Sequence, residues 1–407
     1  MALTPEQLQV IPEGFTDLYQ RFENFVIEDI ARRINKVGNI TDMAKWQVIK
    51  AKEFGILQST LEKELAILVE ESEIILKDLF YQVGEMSINQ DNSIFVKAGV
   101  GKIDLESNDT LKKIIKAATK QTDGELFNLT GSLGFAQTIG GRVVYKPVAK
   151  YYQDAMDLAI LQISSGTLDY NTAIRQAIKS ITNSGLRYIN YESGWSNRVD
   201  VAVRRAIMTG SNQMSQQLTL ESMRQLGAEF VETTAHIGAR PDHAEWQGKV
   251  FSYKGRSKEY PDFEEATGYG TGDGLGGWNC RHSFFPFFPG ISERAYDDKR
   301  LEDLKNKTVE YDGEVMSYYD ATQKQRKMEQ AIRQIRRELI AYNEVGLKED
   351  FKIKSIALKR LEKRYKDFSN SVGIYTEKER LQVFGFNKSL SQKAVWASKN
   401  SNKSTFA

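Results

Sequence analysis

Proline and glycine are concentrated in one stretch of this sequence, and that stretch limits where long helices can run. Residues 236–290 hold four of the seven prolines and ten of the thirty glycines. Proline removes a backbone donor and glycine lowers helix propensity, so one continuous helix cannot pass through this stretch. Between Pro12 and Pro147, in contrast, there is no proline. The sequence therefore predicts helical regions on either side of one turn-rich module.

Apolar residues recur at helical spacing outside the module. They repeat every three or four residues over 15–34, and Gly38 is suited to end that helix. A second helix is predicted after Thr41, and the capping-box pattern from Ser59 to Glu62 predicts the start of a third. Further apolar stripes, the last of them heptad-like, lie at 156–163, 174–181, 201–207 and 328–342.

Other segments have strand or loop patterns. Alternating residues predict strands at 229–234 and 249–253, inside the module. Residues 84–150 contain Gly, Asn and Ser breaks around a short helix near 109–120, which predicts an irregular connection. The Ser-, Asn- and Lys-rich end of the chain predicts a flexible tail.

These patterns predict a mainly α protein with helical N-terminal and central regions, a small α+β turn-rich module and a C-terminal helical arm. At 407 residues the chain is long enough for two or three domains. The predicted segments are an N-terminal helical hairpin or bundle at 1–83, an irregular connection at 84–150, a central helical region at 151–227, the Gly/Pro-rich His/Cys module at 228–290, a basic helical arm at 291–370 and a flexible tail at 371–407.

Composition excludes several classes of protein. A net charge of +2 provides no whole-chain argument for binding nucleic acid or membrane. A single cysteine excludes an internal disulfide framework. The N-terminus lacks the basic and apolar regions of a signal peptide, and no apolar run approaches the ~20 residues that span a bilayer.

All three histidines and the sole cysteine lie in the module. His236 and His243 form one pair and Cys280 and His282 form another, separated by a long insertion. Zinc favours four nitrogen and sulfur ligands in a tetrahedron, and paired ligands joined by a loop are common in structural zinc sites. The spacing therefore predicts a structural zinc site, although hydrogen-bonded polar residues in a tight module explain the same pattern.

Two other motifs in the module suggest chemistry. Gly272, Gly274 and Gly277 match G-x-G-x-x-G, but no strand precedes them and no helix follows, which favours a turn over a dinucleotide site. Asp242 beside His243 offers the acid–base groups of a metal nuclease, with His282 as a further ligand and Arg240, Glu245 and Arg281 nearby. No activating arrangement of a nucleophile stands out, so the sequence favours a protein that is not an enzyme.

The C-terminal arm has an excess of positive charge. Residues 321–370 carry 14 basic and 7 acidic side chains, whereas residues 1–80 carry 9 basic and 14 acidic ones. Lysine and arginine displace the counterions condensed on DNA, so this arm is a candidate for binding double-stranded DNA. It lacks interleaved aromatic residues for base stacking, and a solvated helix face or an acidic protein partner is an equal alternative.

Five separated motifs together resemble the phage minor capsid protein 2 family of tailed bacteriophages and prophages. They cover roughly residues 10–295 and occur in family order. The module also resembles part of Mu-type head morphogenesis proteins, in which paired cysteines and histidines occupy similar places. The motifs are IEDIARRINKVGNITDMAKWQVIKAKEFG, SSGTLDYNTAIRQAIKSITNSGL, NRVDVAVRRAIMTG, HIGARPDHAEWQGKVF and GLGGWNCRHSFFPFFPG.

The resemblance implies a structural protein of the virion head, present in the host cytoplasm during assembly. It implies portal, capsid or scaffold proteins as partners, together with contact to packaged DNA. It supplies no catalytic residue.

Overall fold

The computed structural model of the protein describes residues 3–400 apart from 39–42, 140, 166, 191, 256 and 377. Most of the described residues are helical. The helices are α1 Pro5–Val10, α2 Glu13–Gly38, α3 Met43–Lys97, α4 Asp109–Gly131, α5 Val148–Ser164, α6 Tyr170–Ser184, α7 Val199–Leu226, α8 Phe263–Thr267, α9 Asp298–Lys305, α10 Tyr318–Glu344, α11 Lys348–Val372 and α12 Lys388–Asn400.

The described strands form three small antiparallel sheets. The strands are β1 Leu133–Ile139, β2 Arg142–Pro147, β3 Arg187–Ile189, β4 Ser196–Arg198, β5 Phe230–Thr233, β6 Val250–Ser252, β7 Phe284–Phe287, β8 Thr308–Tyr311 and β9 Glu314–Ser317. The strand orders of the three sheets are β2-β1-β3-β4, β6-β5-β7 and the hairpin β8-β9.

The predicted fold class is confirmed. Helices dominate the N-terminal, central and C-terminal regions, and the module at 228–290 combines short strands with turns. The N-terminal stripe forms α2, which ends at Gly38 as predicted, and the heptad-like stripe lies in α10. Within the part of the chain that the structure describes, no helix is both long and apolar enough to cross a membrane.

The chain divides into two compact units, and each unit is built from three separate stretches. Unit 1 contains Met1–Phe15, Glu71–Leu126 and Val203–Gln323. Unit 2 contains Thr16–Glu70, Phe127–Ala202 and Lys324–Ala407. The six predicted segments describe the order of structural types along the chain, and they remain a prediction. They do not correspond to the two compact units, because each unit combines stretches that are distant in the sequence.

Unit 1 has its core around the three-stranded sheet of the module. Val231 of β5 is fully buried, and its neighbours in the register are Phe251 of β6 and Pro286 of β7. Phe95 of α3 and Met223 of α7 complete one apolar cluster with these strands. The small module therefore shares its core with two long helices, which offsets the limited apolar surface that about 60 residues can bury alone.

Unit 2 contains a buried ion network between helices that are far apart in sequence. Arg337 of α10 lies 2.7 Å from Glu23 of α2, and both side chains are 2% exposed. Arg337 also lies 3.6 Å from Asp200. Burial acts to raise the pKa of Asp200, but Arg333 and Arg337 outweigh it and hold that pKa below its ordinary value. The charges compensate one another in a site from which water is excluded.

The helix boundaries near residue 59 differ from the prediction. α3 begins at Met43 and continues to Lys97, so the predicted second and third helices are one helix. Thr60 donates to the carbonyl of Ile56, which is a bond within a helix and not a cap. The capping-box pattern is a false start signal here, because the same residues are tolerated on an exposed helix face. The predicted N-cap, Thr41, lies outside the described residues.

Two segments predicted to be irregular or flexible contain more helix and strand than expected. Within 84–150, the short helix predicted near 109–120 lies in α4 Asp109–Gly131, α3 continues to Lys97, and β1 and β2 form a hairpin. Within 371–407, α12 contacts α11 and buries Leu390 and Ala394. The polar composition of these segments gave no clear helix or strand pattern. The apolar contacts that stabilise these elements come from other parts of each unit. Residues 401–407 lie outside the described part of the chain.

Candidate metal centre

The sheet of the module brings the two ends of the His/Cys stretch together. β5 pairs with β7, and the pairing extends beyond the strands because Thr234 donates to the carbonyl of Ser283 at 2.8 Å. The Ser283 amide in turn donates to the hydroxyl of Thr234 at 2.9 Å. His282, which precedes Ser283, is therefore held next to the chain that follows β5.

The glycine-rich run before Cys280 folds back on itself as a compact turn. Trp278 donates its amide to the carbonyl of Gly272 at 2.7 Å, and Cys280 donates to that of Gly277 at 3.2 Å. A Cβ at Gly277 would lie 2.3 Å from the carbonyl oxygen of Gly272, closer than any side chain can approach. The prediction of a tight turn is supported, and the run serves to place Cys280.

Three of the four predicted ligands converge in the interior of unit 1. The Nδ1 atoms of His243 and His282 lie 3.4 Å apart. The Sγ atom of Cys280 lies 3.7 Å from each of these nitrogens. All three residues are buried, with exposures of 2% for His243, 3% for Cys280 and 1% for His282. The arrangement presents two nitrogens and one sulfur to a common point.

His236 is close to this cluster but does not join it. Its ring stacks on that of His282, with centroids 4.4 Å apart and planes inclined by 24°. Its Nδ1 atom lies 3.0 Å from the carbonyl of Ile237 and 3.4 Å from the guanidinium of Arg281. The structure thus unites three predicted ligands and places the fourth beside one of them.

Helix α7 supports the cluster through polar residues on its buried face. The amide of Asn212 donates to the carbonyl of His282 at 2.9 Å, and that of Gln216 donates to the same carbonyl at 3.3 Å. Gln213 donates to the carbonyl of Gly276 at 3.1 Å. Sequence reasoning missed these residues because it followed only the apolar stripe of this helix. The available signal was a polar stripe at helical spacing, formed by Ser211, Asn212, Ser215, Gln216, Thr219 and Ser222.

The surroundings keep the cluster uncharged near neutral pH. Burial lowers the pKa of His243, and the neighbouring Arg240 lowers it further. Burial also lowers the pKa of His282 well below its ordinary value, and the proximity of two further imidazoles, His236 and His243, disfavours protonation of His282 in the same direction. Burial raises the pKa of the Cys280 thiol. Neutral imidazole is the form that binds metals, whereas the thiol must lose its proton to become a ligand.

The structure does not assemble the predicted nuclease group at one reactive point. The carboxylate of Asp242 is 62% exposed and lies 3.8 Å from Nε2 of His243, on the opposite side of the ring from the Nδ1 cluster. That separation is too long for a hydrogen bond. Glu245 pairs with Lys305 at 2.7 Å. The carboxylates therefore do not share the point at which His243 and His282 meet.

Comparison with known proteins identifies the chain. Residues 3–370 match the family described as Phage minor capsid protein 2. The chain belongs to this family. A protein of Lactococcus phage LL-H, described as a structural protein, is 23% identical over 335 residues, which cover 78% of this chain and 84% of that protein. No solved structure matches the chain.

The family assignment confirms the resemblance and extends it. The match continues to residue 370, beyond the motifs at 10–295, so α10 and most of α11 belong to the family region. The chain is therefore a phage structural protein of the minor capsid class, which places it in the virion head. The basic arm, which was interpreted from charge alone, is included in the matched region.

Proposed function

We propose that this minor capsid protein docks at the portal vertex or on the capsid interior while the phage head assembles in the host cytoplasm. The match of residues 3–370 to the minor capsid family carries the proposal. The relative from phage LL-H, itself described as a structural protein, supports it. Portal, capsid or scaffold proteins are the expected partners.

Mass spectrometry of purified particles tests this assignment directly. We expect a few to some tens of copies per particle, measured against the portal and major capsid proteins. Crosslinking within intact particles should join the chain to portal or inner-capsid residues. A protein that stays in the lysate and is absent from particles would overturn the proposal. Crosslinks confined to the outer capsid surface would overturn the proposed location.

We also propose that the basic arm contacts packaged DNA, through only part of its positive charge. Much of the charge on α10 is committed inside unit 2: Arg337 pairs with Glu23, and Arg336 lies 2.7 Å from Glu362. The guanidinium of Arg333, 12% exposed, lies 3.5 Å from Asp200. These residues stabilise the unit and are not presented to a partner.

Helix α11 offers a better surface for phosphate groups. Lys359, Arg360, Lys363 and Arg364 are exposed, and their spacing places them on one side of the helix. Lys363 pairs with Asp367 at 3.3 Å, which reduces its availability. We define the basic face of α11 as Lys359, Arg360 and Arg364. Contacts from this face would follow the DNA backbone without reading sequence.

Fluorescence anisotropy with a short DNA duplex, repeated over a range of salt concentrations, tests the basic face. Replacing its three residues with glutamine should reduce the slope of log K against log salt by about 2 to 3, since each phosphate contact contributes about 0.9. A control variant with the same change in net charge replaces exposed Lys113, Lys116 and Lys120 of α4. Equal losses in both variants, or a wild-type protein that does not bind the duplex, would contradict the proposal.

A further inference from the structure

The three converging atoms have the spacing of three corners of a zinc tetrahedron. With zinc–nitrogen bonds of about 2.0–2.1 Å and zinc–sulfur bonds of about 2.3 Å, tetrahedral ligands are about 3.4 Å apart for two nitrogens and about 3.6 Å for nitrogen and sulfur. The observed separations are 3.4 Å between the two Nδ1 atoms and 3.7 Å from each to Sγ. A metal ion fits this triangle with little movement of the side chains.

Hydrogen bonds to Nε2 of His282, the ring nitrogen that points away from the cluster, fix the tautomer of this ring. The backbone amide of His236 donates to Oε1 of Gln247 at 3.0 Å, and an amide N–H can only donate. The Gln247 atom at that place is therefore its oxygen. Nε2 of His282 lies 3.0 Å from the same oxygen and must donate to it. Nδ1 of His282 then carries no proton and directs its lone pair into the cluster.

His243 has a matching partner outside the cluster. Its Nε2 atom lies 2.8 Å from the backbone carbonyl of Asp273, which can only accept. Arg240 also lies against Nε2 and donates to the same carbonyl. Because a guanidinium only donates and a carbonyl only accepts, the two contacts require opposite protonation states of Nε2. In the tautomer that donates Nε2–H to Asp273, Nδ1 of His243 is a second free lone pair, and this is the form that binds a metal at Nδ1. A carbonyl oxygen behind each imidazole is the usual support of a metal-binding histidine.

We propose that His243 Nδ1, Cys280 Sγ and His282 Nδ1 bind one zinc ion. Two nitrogens and a thiolate are a ligand set suited to zinc, and calcium or magnesium would require oxygen ligands. On binding, the Cys280 S–H bond breaks, its electron pair forms the sulfur–zinc bond, and the proton passes to solvent. His236 is not a ligand, because it stacks on His282 and its Nδ1 faces the Ile237 carbonyl.

The ion would act as a crosslink within unit 1. His243 and Cys280 are separated by 37 positions in the chain. Between them lie β6, α8 and the glycine-rich run, so the ion closes a loop that contains most of the module. Among the described residues, the cluster holds no fourth His, Cys, Asp or Glu side chain. Water completes the tetrahedron at the remaining position.

Zinc content and cobalt spectroscopy test the site on the full-length protein without a histidine tag. The wild type should contain one zinc ion per chain by elemental analysis. After removal of zinc, titration with cobalt(II) should produce the near-ultraviolet thiolate-to-cobalt band and the intense visible bands of a four-coordinate ion, complete at one equivalent. Absence of zinc together with failure to bind cobalt would overturn the proposal, and this result does not depend on any variant folding.

Single substitutions identify the ligands. Cys280→Ser should remove the thiolate band, and His282→Asn should reduce zinc content at least tenfold. His236→Gln is the matched control and should retain one zinc ion and the wild-type cobalt spectrum. Loss of zinc in His236→Gln, with a wild-type circular dichroism spectrum, would overturn the three-ligand assignment and support the four-ligand site. Unchanged zinc binding in Cys280→Ser would also overturn it.

Discussion

Asp91 provides the sharpest test of the buried polar contacts in unit 1. It lies in α3 and is 1% exposed. Its Oδ2 atom accepts a hydrogen bond from the hydroxyl of Thr219 at 2.6 Å, and Oδ1 has no hydrogen-bond partner among the described residues. Removal from water destabilises the charged carboxylate more than a single hydroxyl can offset. Burial therefore raises the pKa of Asp91 from its ordinary value of 3.8 to about 7.

The raised pKa has a defined consequence for stability. Between the ordinary pKa of 3.8 and the folded value of about 7, the folded protein binds more protons at this site than the unfolded chain. The contribution of Asp91 to the free energy of unfolding is therefore fully present below pH 4 and is lost as the pH rises to about 7. Asp91→Asn has no proton to exchange and removes this dependence.

The magnitude follows from the size of the shift. Each pKa unit corresponds to about 1.4 kcal/mol. Relative to low pH, the raised pKa of Asp91 therefore lowers stability by roughly 4 kcal/mol at pH 8, where the folded carboxyl is ionised, and by under about 2 kcal/mol at pH 5, where it is protonated. The stability of Asp91→Asn relative to the wild type should thus be greater at pH 8 than at pH 5 by about 2 to 3 kcal/mol. The asparagine amide adds a cost for an unpaired N–H, but that cost is the same at both pH values.

Urea unfolding at pH 5 and pH 8 measures the difference, with tryptophan fluorescence as the probe and hydrogen exchange of α3 peptides to locate the effect. Asp303→Asn is the matched control, since Asp303 is an exposed aspartate in α9 of the same unit. It should show the same relative stability at both pH values. A difference below about 0.5 kcal/mol for Asp91→Asn would refute the argument that burial raises this pKa.

Two further substitutions test the tight turn and the ion network by urea unfolding. Gly277→Ala should destabilise unit 1 by about 2 kcal/mol or more, because the added Cβ lies 2.3 Å from the Gly272 carbonyl; Gly124→Ala in α4, where a Cβ meets nothing within 4 Å, should stabilise it slightly. A loss of stability in Gly277→Ala that is no larger than the change in Gly124→Ala would contradict this. Arg337→Leu should cost about 3 to 5 kcal/mol by leaving Glu23 buried without its partner, whereas Arg337→Lys keeps the charge and should cost less.

The family and the general course of the chain could be recognised from sequence. Helical periodicity predicted α2 with its end at Gly38, and alternation predicted β5 and β6. These signals are local, because each records which residues of one element face the core. The same kind of signal failed at Ser59, where a capping-box pattern lies inside α3. A cap sequence marks a helix start only when the residues before it are not helical. The capping-box pattern itself does not specify the conformation of those residues.

The candidate metal site was predicted less completely. The clustering of all three histidines with the sole cysteine indicated the stretch in which His243, Cys280 and His282 converge, but it did not indicate that His236 lies beside them. That arrangement depends on ring orientation, which is set by Gln247, the Asp273 carbonyl and the polar face of α7. Gln247 and α7 gave no signal in a search for ligands, because amide side chains act here through hydrogen bonds to histidine or to its backbone.

The sequence by itself determined the helical character, the position of the turn-rich module and the membership of the phage minor capsid family. Spacing and composition are sufficient for these, since they depend on neighbours within a few turns of chain. Only the tertiary structure decided that His236 stacks beside the cluster, that Asp91 is buried against Thr219 and that much of the arm's charge is used within unit 2. Each of these depends on contacts between residues far apart in sequence, where burial sets the strength of charges and hydrogen bonds.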